Sequence, residues 1–334
     1  MIKRLPRWLP MVGIVTAAFG CDNVSFGGMS LTLEGPPRDS TAAQSGGVLS
    51  EGDVGPQRIE YGPLLYAGVR QGDSATVVPV AELVDGRLRP FPGGDAGTQL
   101  ASQILEERLV EGRKLVLFHQ GVRVGTFTVS TPTADPGGYC TPRPQAMGPM
   151  ELMPSASVAD RFLALEEGVG GAEAYGEFQG FEPDRPHRTA IQNLAGEALN
   201  ELRAPWPSVA LQNTRQDLQV FQPGPGDAPS IVGSFLIQDQ MAVGPAPDAA
   251  YSLLIVGVPR GNRFSREFTW YRNVGESGKG APRYFSKMDL DGDGDEELVL
   301  EVFGAEARWW ATLEQEGRTW SLAFQEPCGV PTVS

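Results

Sequence analysis

The spacing of apolar and polar positions changes character along the chain. From residue 57 to 140, short apolar runs alternate with turn signals. Residues 64–69 and 75–80 flank Gln71-Gly72-Asp73, and Asp85-Gly86 separates 81–84 from 87–90. Runs of this length around Gly-containing turns predict β-hairpins. Leu100, Ile104, Leu105 and Leu109 recur at helical spacing and predict a helix over 95–110 that stops at Gly112. Residues 114–118 and 122–129 then predict a hairpin across Gln120-Gly121.

From 131 to 160 the chain carries Pro132, Pro136, Pro142, Pro144, Pro149 and Pro154, so 141–183 reads as a Pro/Gly-rich connector with one short helix at 158–167. An amphipathic helix follows, with Asp184 as N-cap and Pro186 just inside it. Its apolar stripe is Ile191, Leu194, Ala195, Ala198, Leu199 and Leu202, and Pro205 stops it. Beyond it, 217–221, 230–237, 251–258, 267–271, 297–303, 308–313 and 319–324 read as strands punctuated by Gly turns. The expectation is an α+β protein of two lobes: an N-terminal α+β lobe at 57–140 and a C-terminal, mainly antiparallel β module at 184–326, with a tail at 327–334.

Composition adds an address. Lys3, Arg4 and Arg7 precede an apolar stretch of about a dozen residues interrupted by Pro10, which is too short to span a bilayer and has the form of an export signal over 1–20. Ala18-Phe19-Gly20-Cys21 resembles the lipobox of bacterial lipoproteins, in which cleavage precedes a lipidated Cys. It departs from that pattern at Ala18 and Phe19. The resemblance implies lipidation of Cys21 and a membrane anchor in the cell envelope; the alternative is an ordinary secretory signal and a secreted soluble protein. Residues 22–56 are rich in Gly, Ser, Pro and acid without hydrophobic period, a composition that predicts a flexible tether.

The chain has 27 Lys+Arg against 41 Asp+Glu, a formal charge of −14. Removing residues 1–20 takes away three positive charges and no acid, which leaves −17. Such a body repels nucleic-acid phosphate and anionic lipid, so nucleic acid is not expected as a partner. With Cys21 lipidated, Cys140 and Cys328 remain as an even pair in an exported protein, and a disulfide between them is expected.

One segment carries chemistry. In 289–297, six acids fall within nine residues: Asp289, Asp291, Asp293, Asp295, Glu296 and Glu297. Carboxylates at loop positions 1, 3, 5 and 9 (Asp289, Asp291, Asp293, Glu297), Gly294 at position 6 and the Asp295 carbonyl at 7 make a set of hard oxygen donors suited to Ca²⁺. The twelfth residue is Leu300 where an EF-hand needs Glu, and both flanks look like strands. The stretch 284–303 resembles the FG-GAP/VCBS repeat, through Asp289-Leu290-Asp291-Gly292-Asp293-Gly294 followed by Glu297-Leu298-Val299. That resemblance implies a calcium loop within a β-propeller blade. A second copy is weakly visible at a spacing of 68 residues, matching Gly226 with Gly294, Asp227 with Asp295 and Phe235 with Phe303. With no third copy, a full propeller is not expected.

No nucleophile elbow, zinc-protease motif or phosphate loop is present, and neither His119 nor His187 has a catalytic partner nearby in sequence. Trp309-Trp310 puts one ring on each face of a strand, so one is either packed under a loop or exposed to a sugar or protein. These readings converge on an envelope lipoprotein with one structural Ca²⁺, acting as a binding or structural module for a protein or carbohydrate ligand. The alternative is an envelope hydrolase; a histidine lining a cleft beside Ser, Asp or Glu would favour it.

Overall fold

The computed structural model describes residues 25–26, 29–30, 58–169, 180–224, 226–317 and 319–330. The expected export signal at 1–20, the expected lipidation site Cys21 and most of the expected tether at 22–56 lie outside the described residues. The chain divides into two units, 1–57 and 58–334. In the first, β1 (Ser25–Phe26) pairs with β2 (Met29–Ser30).

The second unit begins with β3 (Leu64–Gln71), β4 (Ser74–Val84), β5 (Arg87–Arg89), helix α1 (Gly94–Glu107), β6 (Lys114–His119), β7 (Val122–Thr128), β8 (Thr131–Thr133), β9 (Gln145–Leu152) and β10 (Arg161–Glu166). They form one antiparallel sheet in the order β5-β4-β3-β10-β6-β7-β9-β8. The sheet closes on itself, because β9 pairs with β4 through 146–149 and with β7 through 150–152. Pro149, which has no N–H to give a ladder, sits where β9 passes from one partner to the other. The result is a six-stranded barrel with β5 and β8 appended.

Side-chain alternation explains the continuous apolar runs. Leu64, Tyr66, Leu115, Leu117, Phe162 and Ala164 point into the barrel, where Leu100 and Ile104 of α1 join them. Leu65, Ala67, Val116, Phe118, Leu163 and Leu165 point outward and are buried as well. A strand covered on both faces loses the polar half of its alternation.

The rest comprises helix α2 (Arg185–Glu201), strands β11 (Arg215–Phe221), β12 (Ser230–Ile237), β13 (Tyr251–Arg260) and β14 (Arg263–Asn273), the single-turn α3 (Val274–Ser277), and strands β15 (Ala281–Met288), β16 (Glu297–Phe303), β17 (Arg308–Glu316) and β18 (Thr319–Gln325). Both sets of four strands are antiparallel meanders in sequence order. At the 68-residue spacing, β11 and β12 fall on β15 and β16, so the weak sequence match aligns equivalent hairpins.

The layers stack in a fixed order. Phe285, Met288, Val299, Trp310 and Phe324 of the β15–β18 sheet pack on the outer face of the barrel. Tyr284, Leu298, Leu300, Trp309 and Trp320 on its other face pack on Phe221, Leu254 and Trp270 of the β11–β14 sheet. The far face of that second sheet is covered by Ile191, Leu194, Ala198 and Leu199 of α2.

These observations correct the α+β, two-lobe expectation. The protein is β-rich, with three antiparallel sheets and three α-helices among the described residues of the second unit. The expected connector at 141–183 holds β9 and β10, both part of the barrel, and the short helix expected at 158–167 is β10. A run such as Phe162-Leu163-Ala164-Leu165 is apolar in every register, so its period does not separate a buried strand from a buried helix.

Cys140 and Cys328 are disulfide-bonded, with Cα atoms 6.2 Å apart, tying the chain just before β9 to the turn after β18.

Candidate metal centre

The acidic segment is the turn between β15 and β16, at one end of the middle sheet. Gly292 and Gly294 have φ of +82° and +97°, the left-handed backbone that lets the loop fold back on itself. The carboxylates then collect the loop's own amides. Gly292 and Gly294 N–H donate to the two Asp289 oxygens at 2.6 and 3.1 Å, Asp293 N–H to Asp291 at 3.1 Å, and Asp295 N–H to Asp293 at 2.8 Å.

Oxygens of Asp289, Asp291 and Asp293 all lie within 4.8 Å of one another, so this triad could hold a metal ion. Of the five side chains expected at the cation, these three are brought together. Glu297 is buried and accepts the Leu290 N–H at 2.7 Å. Its carboxyl is pushed up to about 7, chiefly by burial; the Leu290 N–H opposes the rise and the Asp291 and Asp289 charges add to it. Asp295 is raised too, by burial first and then by Asp293, Asp227, Asp289 and Asp291.

Asp227 is the acid that the local motif does not reveal. It sits in the β11–β12 turn, the counterpart of the acidic loop in the adjacent sheet. A Cβ added to Gly224 would lie 3.2 Å from an Asp227 oxygen and 3.4 Å from an Asp295 oxygen. Glu296 N–H also donates to the Pro223 carbonyl at 3.1 Å. The 68-residue match sets Asp227 against Asp295 as equivalent turn positions, but only the packing of the two sheets brings the two turns together.

Two barrel hairpins hold the loop from the other side. Gly86, in the β4–β5 turn, is so close to Asp291 that a Cβ there would collide with it, and Gly121, in the β6–β7 turn, stands in the same relation to Glu296. Lys287 forms an ion pair with Glu296, and burial pulls its ammonium down to about 7.

Beside the loop lies a cleft of about 630 Å³ between barrel and sheets, lined among others by His119, Asp160, Arg161, Gln219, Lys287 and Glu296. His119 Nδ1 is 2.8 Å from the Arg161 carbonyl, and burial lowers its pKa. His187 serves the helix instead. With Asp184 it forms the capping box of α2, Asp184 Oδ1 accepting the His187 N–H at 2.9 Å. Trp309 and Trp310 are both buried, one toward each neighbouring layer, so neither is available to a ligand. Among the described residues, no helix is long and apolar enough to cross a membrane.

No protein-family model, curated protein or solved structure matches this chain.

Proposed function

We propose that this chain is an exported, lipid-anchored envelope protein whose β-rich body is stabilised by one Ca²⁺ at 289–297 and acts as a binding or structural module. The observation that carries the cation reading is the convergence of Asp289, Asp291 and Asp293 within 4.8 Å on a loop whose amides already orient them. Three carboxylates this close repel one another, and a divalent cation relieves that repulsion. Flexible oxygen-only coordination favours Ca²⁺ over Mg²⁺, which keeps its waters and demands an octahedron. The resemblance of 284–303 to an FG-GAP/VCBS repeat supports the same metal.

The role is structural. At an extracellular-type affinity of about 0.1–1 mM and about 1 mM Ca²⁺, binding contributes about 0.4–1.4 kcal/mol. Titrating Ca²⁺ into the chelator-treated protein should therefore raise its melting temperature by a few degrees, and Asp291→Ala should abolish the rise. No rise with the native chain would overturn the cation reading. For the anchor, mass spectrometry of the membrane fraction should find a diacylglyceryl group on Cys21 that Cys21→Ser removes.

The hydrolase reading is favoured by one observation, the position of His119 in the cleft with Asp160. Turnover of ester or glycoside reporters that His119→Ala abolishes in a folded protein would establish it over the binding role.

A further inference from the structure

We infer that Trp206 and the outward face of α2 form a binding platform for a neutral oligosaccharide. Among the described residues, Trp206 is the one aromatic side chain that counts as an exposed large hydrophobic, at 55 % exposure. The other Trp of the folded body, at 270, 309, 310 and 320, are buried. An indole left in water while its counterparts are packed away is the kind of exposed apolar surface that marks recognition.

Its presentation is built. The backbone is Ala204-Pro205-Trp206-Pro207, so the indole sits between two residues of restricted φ. The Pro205 carbonyl accepts the Tyr251 hydroxyl, and Trp206 Nε1–H donates to Asn200 Oδ1 at 3.1 Å. The ring edge lies against α2 at Gly196, where an added Cβ would stand 3.4 Å from it. A side chain fixed this way loses little entropy when a ligand stacks on it.

The surroundings select the ligand. Trp206 borders a shallow groove of about 570 Å³ whose polar lining is Gln192, Asn193, Asn200, Gln212 and Glu197, without Lys or Arg. Residues 192, 193, 196, 197 and 200 form the face of α2 opposite its buried stripe. Gln192 Nε2 donates to Gln212 Oε1 at 2.9 Å and Asn200 Oδ1 accepts the indole N–H, so these amides are held in place, and their remaining donors and acceptors with those of Asn193 match hydroxyls and not a single charge. An aromatic platform complements the C–H face of a pyranose, as amides complement its edge. With a single carboxylate and no cation, the groove disfavours an acidic sugar and fits a neutral one of two or three residues.

The inference gives the binding role proposed above a ligand class and rests on that role, not on the cation. Isothermal titration of the mature chain with cellotriose, maltotriose, xylotriose and chitotriose is the test. At least one should bind, Trp206→Ala should weaken it by about tenfold or more, Trp206→Phe should restore part of the affinity, and Asn193→Ala should weaken it less. Both sites are at the surface, so melting temperatures should hold. Absence of binding by all four, or equal binding by Trp206→Ala, overturns the inference. Equal binding by Trp206→Ala would leave the binding role standing at another site, and a calcium-induced rise in melting temperature recorded on the same samples keeps the cation reading separate from either failure.

Discussion

Arg143 and Glu326, 183 residues apart, form an ion pair in which neither side chain has any exposed surface. Arg143 Nη1 also donates to the Val80 carbonyl at 2.6 Å, while Glu326 accepts the Trp310 N–H at 2.9 Å and the Thr141 hydroxyl at 3.2 Å. The pair joins the barrel to the last strand's exit; Arg143 also donates to the Pro79 carbonyl and lies over the Phe91 and Tyr139 rings, but Glu326 is the carboxylate that pairs its charge. Glu326→Ala strands a buried guanidinium and should cost about 3–5 kcal/mol of unfolding free energy, whereas Arg143→Met with Glu326→Leu should recover most of it. Urea denaturation of the native chain and the two variants decides the matter; a loss under about 1 kcal/mol in Glu326→Ala would show that water reaches the site.

The Cys140–Cys328 bond lies within three residues of that pair at both ends and closes a separation of 188 residues. Chain entropy gives such a loop an upper contribution of about 5 kcal/mol. Cys140→Ser with Cys328→Ser should lower stability by roughly 2–5 kcal/mol. Combined with Glu326→Ala the losses should be non-additive, because both crosslinks hold the same two segments together. Strict additivity in denaturant melts would separate them.

The contact between Gly121 and Glu296 links barrel to acidic loop. Gly121→Ala places a methyl group against the Glu296 carboxylate at a φ of +78°. Gly72→Ala introduces similar backbone strain at φ +68° with nothing nearby to strike. Both should destabilise, but Gly121→Ala by about 1 kcal/mol or more beyond Gly72→Ala, and it alone should blunt the response to Ca²⁺. Equal losses and equal responses would mean that the hairpin does not support the loop.

His119 should give an acid-side loss of stability. Burial lowers its pKa below the ordinary 6.5, the Arg161 carbonyl and Asp160 oppose the shift, and the charges of Arg161 and Lys287 reinforce it. The unfolded chain therefore takes up the proton first as pH falls, so the contribution is present above about 6.5 and is lost as pH falls from there toward the lowered folded value. The difference in unfolding free energy between the native chain and His119→Gln, measured from pH 7.5 to 5, should shrink with acid. A difference independent of pH would show that the imidazole titrates normally.

What could be read from the residues differs between local and distant relationships. The β15–β16 loop is set by a spacing of acids and glycines within nine positions, so its geometry follows from the chain itself. Helix α2 is equally local, with Asp184 capping it, one apolar stripe and Pro205 beyond its end. The disulfide was available as the even pair left once Cys21 is assigned to the anchor. The β9 and β10 strands were not legible, because β9 is crossed by Gly148 and Pro149, tolerated only where it exchanges partners, and β10 is apolar on both faces. Trp309 and Trp310 gave no sign of which ring would be covered; the stacking of three layers covers both.

By itself, then, the sequence determined those elements whose signals are short in range: turns, the capped helix, the acidic loop and the thiol pair. Tertiary structure alone decided that the N-terminal hairpins close into a barrel, that Asp227 stands beside Asp295, that Arg143 meets Glu326 and that Trp206, beyond the end of α2, stays exposed against it. The reason is physical: burial and closure are properties of surfaces meeting across a hundred or more residues, and hydrophobic patterning records that a face is covered without recording what covers it.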